Sequence, residues 1–119
     1  MSHKYRDLIV WQKAKGLAVE VYRATESFPR NELYGLTSQL RRAAVSVASN
    51  IAEGQGRLTK GEFAHFLGQA RGSLFELETQ FAIALDLELV NEPDFKSLEQ
   101  RSSEVSKLLN GLIESMRRK

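Results

Sequence analysis

Cysteine is absent from this chain, and proline occurs only twice, at Pro29 and Pro93. Without cysteine there can be no disulfide framework, no thiolate nucleophile and no thiolate metal ligand, a usage that fits a reducing interior. Nowhere do about 18 apolar residues run together, which excludes a membrane-spanning helix. The opening MSHKYRDLIVW is charged and lacks an apolar stretch of signal-peptide length, so the expected location is the cytoplasm. Histidine is also scarce. His3 and His65 are the only two, which leaves little for imidazole chemistry.

The 119 residues make one domain's length, and a single domain over 1–119 is expected. A monomer this small buries a core with a thin margin, so further burial between copies would help it. The net charge is +2, but its layout says more. Residues 4–60 hold ten Lys or Arg against five Asp or Glu, residues 61–116 hold four against ten, and Arg117, Arg118 and Lys119 close the chain. Such a layout permits nucleic-acid contact, and equally permits opposite-charge packing between copies.

Apolar residues recur at helical spacing in four stretches. The first runs from about Asp7, a candidate cap, to Ser27. Leu8, Trp11, Ala14, Ala18 and Tyr22 form one strip, and Val10, Leu17, Val21 and Ala24 form an adjoining one. Two strips suggest contacts on more than one side. SFPRNE then turns the chain, with Pro29 stopping the helix. The second stretch spans roughly Asn31 to Gly56, with Leu36, Leu40, Ala43, Val47 and Ile51 spaced 4-3-4-4. Its β-branched residues could suggest a strand, but the alanines, the length and that spacing favour helix.

Thr59 with Glu62 three positions on reads as a capping box opening the third stretch. Phe63, Phe66, Ala70, Leu74, Leu77, Phe81 and Ala84 form its apolar face, which ends around Leu87 to Val90. Gly61, Gly68 and Gly72 each cost about 1 kcal/mol of helix stability relative to alanine, and would let another backbone approach closely. NEPDF opens the last stretch, with Pro93 in its first turn. Phe95, Leu98, Val105, Leu109, Leu112 and Met116 carry it to the basic tail. The expected fold is all-α, an up-down-up-down antiparallel four-helix bundle.

Chemical motifs are thin. In SNIAEGQGRLTK, Gly56 is followed by Arg57 and Leu58 where a phosphate-binding loop has lysine and then serine or threonine, and a helical pattern precedes it in place of a strand. Glu62 and His65 make one Glu-x-x-His, whereas a di-iron bundle needs two plus a glutamate from each of two other helices. Ser46, Ser49 and Ser73 have only His65 as a plausible base, and nothing ties it to an orienting carboxylate. No enzyme, metal or cofactor is expected. SNIAE reads as the last turns of the second helix, with Gly54 or Gly56 supplying a left-handed exit.

A polar stripe does stand out. Gln39, Arg42, Ser46, Asn50, Glu53 and Arg57 are spaced 3, 4, 4, 3 and 4, one above another on one side of the second helix. Three readings stay open: a solvated face with local ion pairs, a polar network between helices or subunits, or a nucleic-acid contact. Arg41 and Arg71 would extend the basic surface, and with Arg42, Arg117, Arg118 and Lys119 they are the candidate nucleic-acid contacts.

The segment FPRNELYGLTSQLRRAAVSVASNIAEGQGR, residues 28–57, closely resembles the signature of the small bundle proteins named after the intervening sequences of bacterial 23S rRNA genes. The resemblance starts at DLIVWQKA, residues 7–14, and continues through Glu62–Phe63, Phe66–Leu67, Ala70, Gly72–Ser73–Leu74 and Glu76–Leu77–Glu78. One departure is Ala48, where family members often have proline. The resemblance implies an all-α bundle assembling as a ring, typically a homopentamer. It further implies a relationship to accessory proteins of diversity-generating retroelements, thought to contact a reverse transcriptase and nucleic acid. The matching residues are Glu32, Gly35, Leu36, Gln39, Arg42, Ala43, Ser46, Asn50, Ile51, Glu53, Gly54 and Arg57, and the roles it implies for them are structural and assembly-related. The function expected is a non-enzymatic homo-oligomeric scaffold or accessory protein, with nucleic-acid binding through a basic surface as the alternative.

Overall fold

Apolar residues spaced three and four apart become helices that close one core. The computed structural model describes residues 4–117; His3, Arg118 and Lys119, singled out above, lie outside them. A short turn α1 (Lys4–Asp7) leads into four long helices: α2 (Ile9–Thr25), α3 (Ser38–Gln55), α4 (Lys60–Asp86) and α5 (Glu92–Arg117). Each long helix packs on two neighbours, in the cyclic order α2, α3, α4, α5 and back to α2. This is the expected antiparallel four-helix bundle, with α2 diagonal to α4 and α3 diagonal to α5. The joints 26–37 and 87–91 share one end, termed apical, while α1, the joint 56–59 and the end of α5 share the basal end.

The core is Val10, Ala14, Leu17 and Val21 from α2, Leu40 to Ile51 from α3, Leu67 to Phe81 from α4, and Leu98 to Ile113 from α5. Leu17, Leu40, Ile51, Leu67, Leu74, Leu77 and Leu109 are fully buried, each contributing about 1.5–3 kcal/mol. On α2 the two apolar strips exchange weight. Val10, Leu17 and Val21 enter the core, Leu8, Trp11 and Ala18 pack at its edge, and Tyr22 is exposed.

Several helix ends differ from expectation. Asp7 does not cap α2: it lies within α1, and Leu8 stands at the cap without a side-chain hydrogen bond. The first helix ends at Thr25, before Pro29, which instead opens a short 3-10 turn, Arg30–Glu32. The second helix does not begin at Asn31. A π turn, Leu33–Thr37, intervenes, with Gly35 at φ −115° and ψ −114°, and the α-helix starts at Ser38. From there it runs unbroken through Ala48. Glu32 Oε1 accepts from the Leu36 amide at 3.4 Å, so a local carboxylate satisfies this irregular entry.

At the other corner, Thr59 caps α4, its Oγ1 accepting from the Glu62 amide at 3.1 Å. The Glu62 carboxylate takes the Thr59 hydroxyl at 3.3 Å. Neither Gly54 nor Gly56 is left-handed. Gly56 caps α3 at φ −81°, its N–H reaching the Ala52 and Glu53 carbonyls. Among the described residues the left-handed one is Glu88, φ 61°, after α4 has ended at Asp86. Glu88 N–H reaches Leu85 O and Leu89 N–H reaches Ala84 O, both at 2.9 Å, a Schellman turn without its usual glycine. Asn91 Oδ1 accepts from the Asp94 amide at 2.8 Å and so starts α5, with Pro93 in its first turn.

Candidate functional site

The polar stripe on α3 divides into three. In its middle, half-buried Ser46 and Asn50 face α4: Ser46 Oγ lies 2.8 Å from Ser73 Oγ, and Asn50 Nδ2 donates to Ser46 Oγ at 3.0 Å and to Ser46 O at 2.9 Å. These polar atoms satisfy one another across a helix seam. Toward the basal end, Arg57 pairs with Glu53 at 2.7 Å, and its guanidinium carbon stands 4.6 Å over the Phe66 ring. Gln39 and Arg42, at the start of α3, are exposed. An i,i+4 ion pair this exposed contributes about 0.3–0.5 kcal/mol.

The arginines expected on one basic surface are dispersed. Arg41 turns to α2: Nε donates to Thr25 Oγ1 at 2.9 Å, Nη2 to Tyr22 O at 3.4 Å, and the guanidinium carbon sits 4.6 Å over the Tyr22 ring. It satisfies carbonyl and hydroxyl groups at that helix's C-terminal end, where positive charge is favoured. Arg71 turns the opposite way, with Nη1 donating to Asn110 Oδ1 on α5 at 3.1 Å. Arg41 therefore belongs to the α2–α3 seam and Arg71 to the α4–α5 seam, on opposite sides of the bundle. Arg42 is exposed between them, and Arg117 is exposed at the basal end.

Charge also segregates along the bundle axis. Over the basal lengths (5–15, 48–72 and 105–117) there are eight Lys or Arg and four Asp or Glu. Over the apical lengths (16–47 and 73–104) there are six and eleven. Antiparallel topology brings the beginnings, ends and middle joint of the chain to one end, and their cations with them.

The outward ridge of α4 carries three glycines in its first half, with exposed His65 and Thr79 on or beside the same line. Gly61, Gly68 and Gly72 fall on it, and a Cβ at Gly68 or Gly72 would meet nothing within 4 Å. Phe75 (54% exposed) and Ile83 (45%) flank the ridge. On diagonal α2, Ile9, Val19 and Tyr22 are likewise exposed. His65 is exposed on α4 and shares a 3.2 Å hydrogen bond with Gln69. Among the described residues, no group of three or more His, Cys, Asp or Glu could hold a metal ion, and no helix is long and apolar enough to cross a membrane.

A family model described as 23S rRNA-intervening sequence protein matches residues 6–111, most of the chain. The chain belongs to the 23S rRNA-intervening sequence protein family. Its fold is similar to the crystal structure of a protein of unknown function from the S23 ribosomal protein family of Bacteroides thetaiotaomicron. The TM-score is 0.83 at 21% identity, over 89% of this chain and 96% of that one, a likeness that speaks for the fold. No protein of curated function matches the chain.

In this family member, several residues of the family-like segment have visible local work. Glu32 and Gly35 shape the irregular entry to α3, and Ser46 and Asn50 bridge to α4. Gly54 is buried, because a Cβ there would stand 2.9 Å from both Phe63 Cδ1 and Phe66 Cβ. Sequence reasoning missed other features. Lys15 lies over Trp11 and Arg6 over Tyr5, at 5.2 and 5.8 Å to the ring centroids. The i,i+4 spacing of Trp11 and Lys15 was the available signal. Ser102, fully buried on α5, donates to Glu78 Oε2 at 2.5 Å; no sequence pattern announces that pair.

Proposed function

We propose that this protein is a non-enzymatic, homo-oligomeric scaffold or accessory protein that assembles as a ring, five copies being the number implied by the family resemblance. The glycine ridge of α4 carries the reading. Gly61, Gly68 and Gly72 each weaken the helix by about 1 kcal/mol, and no neighbour within the chain requires Gly68 or Gly72. A helix from a second copy, approaching closely where Gly68 and Gly72 lack a Cβ and gripping Phe75 and Ile83, supplies the reason. Apolar residues stand exposed on diagonal α2 as well, so opposite faces of one copy can meet head to tail. Such a contact generates a ring when its rotation closes. An accessory role beside a reverse transcriptase, implied by the same resemblance, belongs to this reading. Light scattering on the purified protein is expected to give several times 13.4 kDa; a clean monomer at micromolar concentration would overturn the proposal.

A second reading, nucleic-acid contact, is favoured by the gathering of cations at the basal end. In a ring whose copies stand side by side, that end repeats around the rim and its charge adds. The prediction is binding that weakens steeply with salt.

A further inference from the structure

The corner between α1 and α2 interleaves cations with aromatic rings. Tyr5 and Trp11 meet edge to face with centroids 5.2 Å apart. Arg6 lies over the first ring and Lys15 over the second. Gln12 Nε2 donates to the Arg6 carbonyl at 2.7 Å, fixing the bend that brings them together. Arg6, Trp11, Gln12 and Lys15 line a concave surface. Neither Arg6 nor Lys15 has a carboxylate partner among the described residues, whereas Lys13, two positions from Lys15, pairs with Glu104 at 3.4 Å. The corner also packs against α3, at the end that carries Arg57, Lys60 and Arg117.

We propose that this corner is a binding site for single-stranded nucleic acid, in which an unstacked base lies against Trp11 or Tyr5 and the adjoining phosphates are held by Arg6 and Lys15. The inference rests on the second reading above and gives it a location and a form of ligand. Each part of the cluster has a counterpart in such a strand. Aromatic faces stack on bases of any identity, and unpaired cations replace the counterions of the backbone. A duplex hides its base faces and offers only its phosphates to such a corner. An acidic peptide would neutralise the two cations but would leave the rings without a counterpart. Lys15 is exposed, so it can leave the Trp11 face for a phosphate without disturbing the core.

Trp11 is the only tryptophan, so its emission reports on this corner alone. The full chain is titrated with a single-stranded oligonucleotide of about ten residues, following both tryptophan emission and the anisotropy of a labelled strand. Saturable quenching is expected, with polyphosphate of similar charge binding without quenching and a duplex of equal length quenching less. R6Q with K15Q should weaken binding roughly tenfold and flatten the salt slope by about 1.4. R30Q with K96Q, the same loss of two charges at the apical end, should leave binding as it was. Circular dichroism checks that each variant folds. Binding that neither quenches Trp11 nor responds to R6Q with K15Q overturns this site and leaves nucleic-acid contact elsewhere standing. No binding at low salt removes both readings, and tighter quenching by an acidic peptide than by the strand transfers the corner to a protein partner.

Discussion

Ser46 Oγ on α3 and Ser73 Oγ on α4 stand 2.8 Å apart across the seam of the two helices, and Asn50 on α3 donates to the same Ser46 oxygen. The three side chains are half-buried, so each depends on the others more than on water. Replacing Ser46 with alanine leaves Asn50 and Ser73 short of a partner and is expected to cost about 1 kcal/mol. S73A should cost less, because Asn50 keeps its acceptor. The double variant should lose less than the two single losses combined, with a coupling of at least about 0.5 kcal/mol. Denaturant unfolding at one fixed protein concentration measures it; strict additivity would show that the hydroxyls act independently.

Gly54 and Phe66 define how closely α3 and α4 can meet at the basal corner. A methyl group at position 54 would sit 2.9 Å from Phe66 Cβ and 3.3 Å from the Phe63 carbonyl oxygen. Neither atom can swing away, because one is anchored directly on the helix backbone and the other is part of it. G54A is therefore expected to destabilise by about 1–3 kcal/mol, against the gain that alanine normally brings inside a helix. A melting temperature equal to or above that of the parent protein would contradict this close packing.

These two corners show what the sequence could and could not convey. Helix spacing was legible because burial imposes a 3.6-residue period, and Leu40, Ala43, Val47 and Ile51 keep it without interruption. Thr59 and Glu62 announced a helix start because capping is local. Gly54 was legible as special but not for the right reason, since its constraint comes from Phe63 and Phe66 on the next helix. Arg41 and Arg71 looked alike in sequence, and tertiary partners send them to opposite seams. The stripe from Gln39 to Arg57 likewise read as one unit. Its members divide according to what stands opposite each turn of α3, which no periodicity encodes.

Glu88 adopts φ 61° in the Schellman turn that closes α4, a conformation that costs a side-chain-bearing residue roughly 1–2 kcal/mol. Glycine carries no such penalty, though it gives up more chain entropy on folding. E88G is expected to raise stability by about 0.5–1 kcal/mol net. E88A should bring no comparable gain, since alanine keeps the Cβ. A thermal melt of both variants decides it, and equal effects would mean that the turn conformation is not what limits stability here.

Gly72 and Phe75 lie on adjoining lines of the outward surface of α4, one bare and one apolar, and both point away from this chain's own core. Gly72→Ala should stabilise the isolated helix by about 1 kcal/mol, because its Cβ enters open space within the chain. If a second copy approaches that ridge, the same methyl group should weaken the assembly, and G72Q should weaken it further. Phe75→Ser removes an apolar grip without opening a cavity in the monomer, so it should also favour smaller species while helix content is kept. Analytical ultracentrifugation across a dilution series separates the two effects. Unchanged association in G72Q and F75S would place the contact between copies on another face of the bundle.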